Sequence, residues 1–145
     1  MIFSKTCEYA LRALIFLAQK SKSGKKTGIK EIAKGIDSPE SFIAKILQDL
    51  SRKGLVQSLK GPGGGFYLDD MSLDRTLADI VIAVDGDRLF SACALGLQDC
   101  MEAKPCPLHH QFKKVKRDIM ELLQHSTLRH LNKVLENDIA YLTRR

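Results

Sequence analysis

Apolar residues return at helical spacing from Ser4 to about Lys20, where Ala10, Ala13, Leu14, Leu17 and Ala18 share one face and Glu8, Arg12 and Gln19 lie on others. A second, short helix is predicted over Ile29 to Lys34, offering Ile32 and Ala33 to a core and stopping at Gly35 as a left-handed residue, with Ile36 packed beneath the turn. Asp37 or Ser38 is the expected cap of the next helix and Pro39 suits its first turn; Ile43, Ile46, Leu47 and Leu50 form its i, i+3, i+4, i+7 stripe, which ends near Lys53 and Gly54. Leu55 to Leu59 and Phe66 to Leu68 read as two strands around the turn Gly61-Pro62-Gly63-Gly64-Gly65. Ser72 is the expected cap of a helix striped by Leu73, Leu77, Ile80, Val81 and Val84, ending near Gly86. After an aperiodic interval, helix resumes near Pro107. Leu108, Phe112, Val115, Ile119 and Leu122 then alternate by four and three residues as an a/d seam, which suits pairing with a symmetry mate or packing within one subunit. Ser126 is the expected cap of a last helix carrying Leu128, Leu131 and Leu135 back onto the body, and Arg144 and Arg145 fall at an expected mobile end.

Two helices joined by a tight turn make a helix-turn-helix, whose second helix enters a DNA major groove. Its outward face carries Ser41, Lys45, Gln48 and Arg52, and the hairpin behind it is a wing with Lys60 at its tip. The fold class is therefore mainly α with a small β-hairpin wing: a winged helix-turn-helix plus a long carboxy-terminal dimerisation helix. Charge supports this reading. Residues 1–65 hold twelve Lys or Arg against five Asp or Glu, while residues 66–145 hold eleven against twelve, so the net charge of +6 comes from the first half. The glycine run is not a nucleotide P-loop, because Phe66-Tyr67 follows where a Lys-Ser/Thr pair and a helix are required.

The aperiodic interval carries the chemistry. Cys93, Cys100 and Cys106, separated by six and five residues, fall within it, and His109 and His110 follow. Soft thiolates with imidazole nearby can converge on one metal, which points to a metal-based sensor. With 145 residues the chain suffices for one compact core, and it divides into a DNA-binding unit over 1–86, a cysteine loop over 87–106 and a dimerisation segment over 107–145. Without an apolar run near the ~20 residues of a membrane span, and without a secretory signal, the expected location is the cytoplasm. There, irregularly spaced cysteines are metal ligands or reactive thiols sooner than a disulfide framework. Catalysis is not expected: Cys106 near His109 lacks the orienting group of a nucleophilic site.

Three segments together resemble the bacterial Rrf-two regulators: Glu8-Tyr9-Ala10-Leu11-Arg12-Ala13-Leu14, Ser38-Pro39-Glu40-Ser41-Phe42, and Lys60-Gly61-Pro62-Gly63-Gly64-Gly65. The resemblance covers nearly the whole chain. It implies a homodimeric winged-helix transcription factor on double-stranded promoter DNA, with Ser41, Phe42, Lys45 and Lys60 facing the DNA. It also implies an iron-sulfur cluster, 2Fe-2S or 4Fe-4S, on Cys93, Cys100 and Cys106, reporting redox state, nitric oxide or cluster status. The IscR-like pattern of a histidine three positions after the third cysteine selects His109 as fourth ligand. An acidic residue from the partner's first helix, as in some NsrR-like members, selects Glu8; a Glu8–Arg12 ion pair accounts for Glu8 without a metal. His110 and Cys7 are the remaining candidates, Cys7 also reading as a small buried residue. The interval between Cys93 and Cys100 is one residue longer than the IscR-like pattern, which leaves cluster type open. A zinc site or a metal-free thiol switch is the alternative.

Overall fold

The first helix organises everything else. In the computed structural model, which describes residues 2–21, 23–137 and 142–143, α1 (Lys5–Ser21) buries Cys7, Ala10, Leu11, Ala13, Leu14, Leu17 and Ala18. Helices α2 (Ile29–Gly35) and α3 (Glu40–Arg52) pack against it, as do α5 (Leu77–Asp85) and α8 (Leu128–Glu136). The expected α3 stripe, Ile43, Ile46, Leu47 and Leu50, is buried in full. Arg144 and Arg145 lie outside the described residues.

The turn between α2 and α3 differs from expectation in two ways. Asp37, at φ 54°, takes the left-handed conformation instead of Gly35, which an aspartate tolerates better than most residues. Gly35 instead closes α2, and a Cβ there would stand 2.2 Å from the Phe16 ring, so its value is close helix–helix approach. Neither Asp37 nor Ser38 caps α3: Pro39 occupies the cap position in extended backbone, with no side-chain cap bond.

Strands β1 (Gln57–Leu59) and β2 (Gly65–Tyr67) pair antiparallel, Gln57 opposite Tyr67 and Leu59 opposite Gly65. The hairpin is seated on the body by Thr27 and Phe66, which exchange two backbone hydrogen bonds of 2.8 Å. Beyond it, the expected cap Ser72 lies inside a short α4 (Asp70–Leu73), buried, with its N–H donating to Asp69. Thr76 starts α5 instead, through a reciprocal capping box with Asp79, because its hydroxyl stands three residues ahead of an acid. A short α6 (Arg88–Ser91) interrupts the expected aperiodic interval.

The seam helix is α7 (His109–Gln124). It buries His109 and Leu123, and half-buried Ile119 and Met120 meet the core, while Leu108, Phe112, Val115 and Leu122 remain exposed. Thr127 caps α8, not Ser126, whose hydroxyl donates to Leu122 O. The fold-back is as expected, with Leu128 fully buried and Leu77 N–H donating to Ser126 O at 2.8 Å.

Candidate nucleic-acid interface and metal centre

Helix α3 turns its apolar stripe inward, so Ser41, Phe42, Lys45, Gln48 and Arg52 are all exposed on one side. Phe42 is supported from α1 by Tyr9, whose ring meets it edge-on at 5.2 Å, and Arg12 stacks over Tyr9 at 4.5 Å. Arg12 also donates to Ile36 O at 3.3 Å, so one side chain braces both the turn and the aromatic pair. The alternative account of Glu8, an ion pair with Arg12, gives way to Lys5–Glu8 at 3.4 Å, the guanidinium lying with Tyr9 and Ile36 O. Sequence reading missed this support; its signal was the i, i+3 spacing of Tyr9 and Arg12.

A groove of about 470 Å³ separates α3 from the wing, lined by Gln48, Arg52, Ser58, Lys60 and Phe66 among others. Lys60, in the turn that follows β1, is exposed. Arg52 is less free than its exposure implies, since Asp49 pairs with it at 3.4 Å and with Lys53 at 2.9 Å. The Lys53 ammonium first, and then Arg52, hold the Asp49 carboxyl below its ordinary range. The surface thus offers hydroxyl, amide and cationic groups along a ridge and a wing, the set that reads base edges and binds phosphates.

The cysteine loop brings its donors together as pairs. Backbone N–H groups of Leu95 and then Leu97, followed by Cys106 and Lys116, lower the Cys93 thiol below its ordinary value. Cys100 Sγ lies 3.4 Å from His109 Nδ1. His109 is only 5% exposed, and its N–H to Cys106 O bond of 3.0 Å ties the start of α7 to the third cysteine. Its Nε2 is buried and has no hydrogen-bond partner among the described residues. His110 is exposed, its ring edge-on to His109 at 5.1 Å.

Among the described residues, no group of three or more His, Cys, Asp or Glu side chains converges to hold a metal ion within this single chain. Yet the donors fit one chemically: soft sulfurs, and a buried imidazole nitrogen left without a partner, beside a cavity of about 670 Å³ lined by Cys100, His109, Lys113 and Met120. Cys7 does not join them. It is fully buried, and burial first, then the Asp85 and Glu8 carboxylates, push its thiol up to about 12, so at neutral pH it is a protonated core residue. Glu8 sits on α1 beside Lys5.

A braced reading helix, a seated wing and a basic first half define a winged helix-turn-helix DNA-binding protein. The chain belongs to the Rrf2 (Rrf-two) family, described as iron-dependent transcriptional regulators, whose model matches residues 3–133. It is 34% identical over 146 residues to a candidate HTH-type transcriptional regulator of Aquifex aeolicus, covering 99% of this chain and all of that one. Among solved structures, CymR, the global cysteine regulator of B. subtilis, matches with TM-score 0.75 and 25% identity, covering 90% of this chain and 95% of that chain. IscR of T. potens shares the fold, with TM-score 0.72 and 23% identity over 94% of this chain and 90% of that chain. The protein is a transcriptional regulator, as the family and the Aquifex relative are described. No helix among the described residues is long and apolar enough to cross a membrane.

Proposed function

We propose that this Rrf2-family regulator is a homodimer that reads promoter DNA and responds to redox state, nitric oxide or iron-sulfur status through a cluster on Cys93, Cys100 and Cys106. Ser41, Phe42, Lys45, Gln48 and Arg52 are assigned to the major groove and Lys60 to the backbone or minor groove. The single observation that carries the sensor assignment is His109: a buried imidazole, 3.4 Å from one of the three cysteines and hydrogen-bonded through its backbone to another, with a nitrogen left over. That makes His109 the favoured fourth ligand and leaves Glu8, supplied by a partner subunit, as the rival. The exposed seam of Leu108, Phe112, Val115 and Leu122 supports pairing along α7. Residues 1–86, 87–106 and 107–145 are then the reading, sensing and dimerising segments.

When bound, a cluster would supply an electron-accepting centre sensitive to oxidants. The chain's own residues do the rest. His109 opens α7, so holding or releasing its imidazole ties or frees the loop relative to the dimer helix, and this biases the dimer between DNA-competent and incompetent states.

Anaerobic purification with iron, sulfide and zinc quantified per monomer tests the assignment. Visible charge-transfer absorption with acid-labile sulfide is the expected result. Colourless protein with stoichiometric zinc would replace the cluster with a zinc site. A second reading, a metal-free thiol switch, is favoured by the lowered Cys93 thiol beside Cys106; reversible disulfide formation without bound iron would establish it instead.

A further inference from the structure

The carboxy-terminal end of α5 is a junction. Asp85, its last residue, accepts the Ser4 backbone N–H at 2.9 Å and the Ser4 hydroxyl as well. Ser4 in turn caps α1, its Oγ accepting from Cys7 N–H at 3.0 Å. Two residues before Asp85, the Ala83 carbonyl accepts from Lys53 Nζ at 2.8 Å, and Lys53 is the residue that closes α3. One helix end therefore holds the start of α1 and the end of the reading helix. The next residue, Gly86, opens the path to α6 and Cys93.

Electrostatics explains why these partners meet here. A helix carboxy terminus carries partial negative charge, so a carboxylate at that position is unfavourable on its own helix and a lysine is favourable. Lys53 supplies the favourable cation. Asp85 is relieved because it lies at the amino-terminal, partly positive end of α1, where anions are stabilised. Displacing the end of α5 costs both interactions, so a displacement carried along the chain through Gly86 and α6 acts on α1 and α3 together.

We infer that Asp85 and Lys53 are positioning residues that couple the cysteine loop to the orientation of the reading helix, neither of them touching DNA bases or the sensor centre. The inference rests on the sensor reading above for its physiological sense and for the second measurement below, and stands apart from it in the first. Because coupling between sites is reciprocal, whatever the loop does to DNA binding, DNA binding does to the loop.

Two measurements on the full-length protein test this, using a duplex selected by the protein from a random pool. The first is hydrogen exchange of residues 87–106 with and without the duplex, in metal-free protein. Slower exchange is expected on DNA binding in the wild type, and it should be lost in Asp85→Asn and in Lys53→Met but restored in Lys53→Arg. The second is the ratio of DNA affinities of iron-loaded and metal-free protein. A wild-type ratio of about 5- to 150-fold, the usual range of allosteric coupling, should fall to within about twofold in either variant. The double variant should add little to either single one.

Wild-type exchange that ignores DNA would overturn the coupling, whatever the metal result. So would variants that keep a wild-type ratio of about fivefold or more. If Lys53→Met weakened both states equally and lowered the salt slope by about one, Lys53 would be a phosphate contact and not a coupler. A wild-type ratio of one with DNA-dependent exchange intact would sink the sensor reading and leave the coupling standing.

Discussion

Gly65→Ala separates what the wing needs from what a glycine turn merely tolerates. Gly65 has φ 143°, a value side chains rarely adopt, and an added Cβ would fall 2.8 Å from the Thr27 carbonyl carbon and oxygen. Those neighbours are backbone atoms of a fully buried residue, so no rotamer change relieves the contact. Backbone strain of this kind costs on the order of 1–3 kcal/mol, and overpacking against an unyielding wall adds a similar amount. The strand escapes by lifting off Thr27, which forfeits two hydrogen bonds worth about 1 kcal/mol each. The outcomes are alternatives more than addends, so the expected net loss is about 3 kcal/mol. Gly63 is the matched control: its φ is 73°, and nothing lies within 4 Å of its would-be Cβ, so Gly63→Ala should cost only about 1 kcal/mol. Urea denaturation should place Gly65→Ala roughly 1–2 M below the wild type and Gly63→Ala well under 1 M below. A salt-controlled DNA titration should show weaker binding for Gly65→Ala, because the displaced wing carries Lys60 away from the groove. Equal stability losses in the two variants would refute the collision with Thr27.

Three further outcomes follow from the site. Cys7 makes stability fall at high pH: below its ordinary 9.0 the thiol is protonated in both states and the full contribution is present, whereas between 9.0 and about 12 only the unfolded chain loses the proton. The wild type should therefore lose about 1.4 kcal/mol per pH unit across that window relative to Cys7→Ala; parallel pH profiles would show the thiol titrating normally when folded. Leu122, 62% exposed, should tolerate Glu within about 0.5 kcal/mol as a surface position yet raise a dimer dissociation constant by about thirtyfold as an interface core position; sedimentation that does not change with Leu122→Glu argues against the seam. Lys60→Ala should weaken DNA binding across sequences and reduce the salt slope by about one, whereas Lys45→Ala should alter base preference, and unchanged binding by both variants would remove them from the interface.

Periodicity made the helices legible because burial of one face is a property of spacing alone. The α3 stripe and the fold-back of α8 both follow from it. Caps were misplaced where several short polar residues compete: Thr76 wins over Ser72 through its reciprocal partner Asp79, and Thr127 wins over Ser126 because the latter bonds back to Leu122. Glycine permits a left-handed turn, yet at Gly35 the ring of Phe16, distant in sequence, is what needs the missing Cβ. Of the site, the cysteine trio and His109 stood out by residue type. Tyr9 and Arg12 did not, since their service to Phe42 exists only once α1 and α3 cross.

The contrast between the two halves of the site suits a switch. Around α1 the core is closed, with Ala10, Ala13, Leu14 and Leu17 fully buried, and elements so packed open only at a cost near that of unfolding. Residues 94–105 are exposed throughout, so the loop between the outer cysteines has little apolar burial to hold it in one shape. Its recorded ties are few, Cys100 to His109 and Glu102 to Lys113 among them, and on the proposed reading a ligand on the sulfurs and His109 would add order that is lost with it. The wing and reading helix, by contrast, must keep one geometry to match a duplex. Joining them requires a rigid element that ends where the loop begins, and α5, closed by a capping box at one end and by Ser4 and Lys53 at the other, has that form.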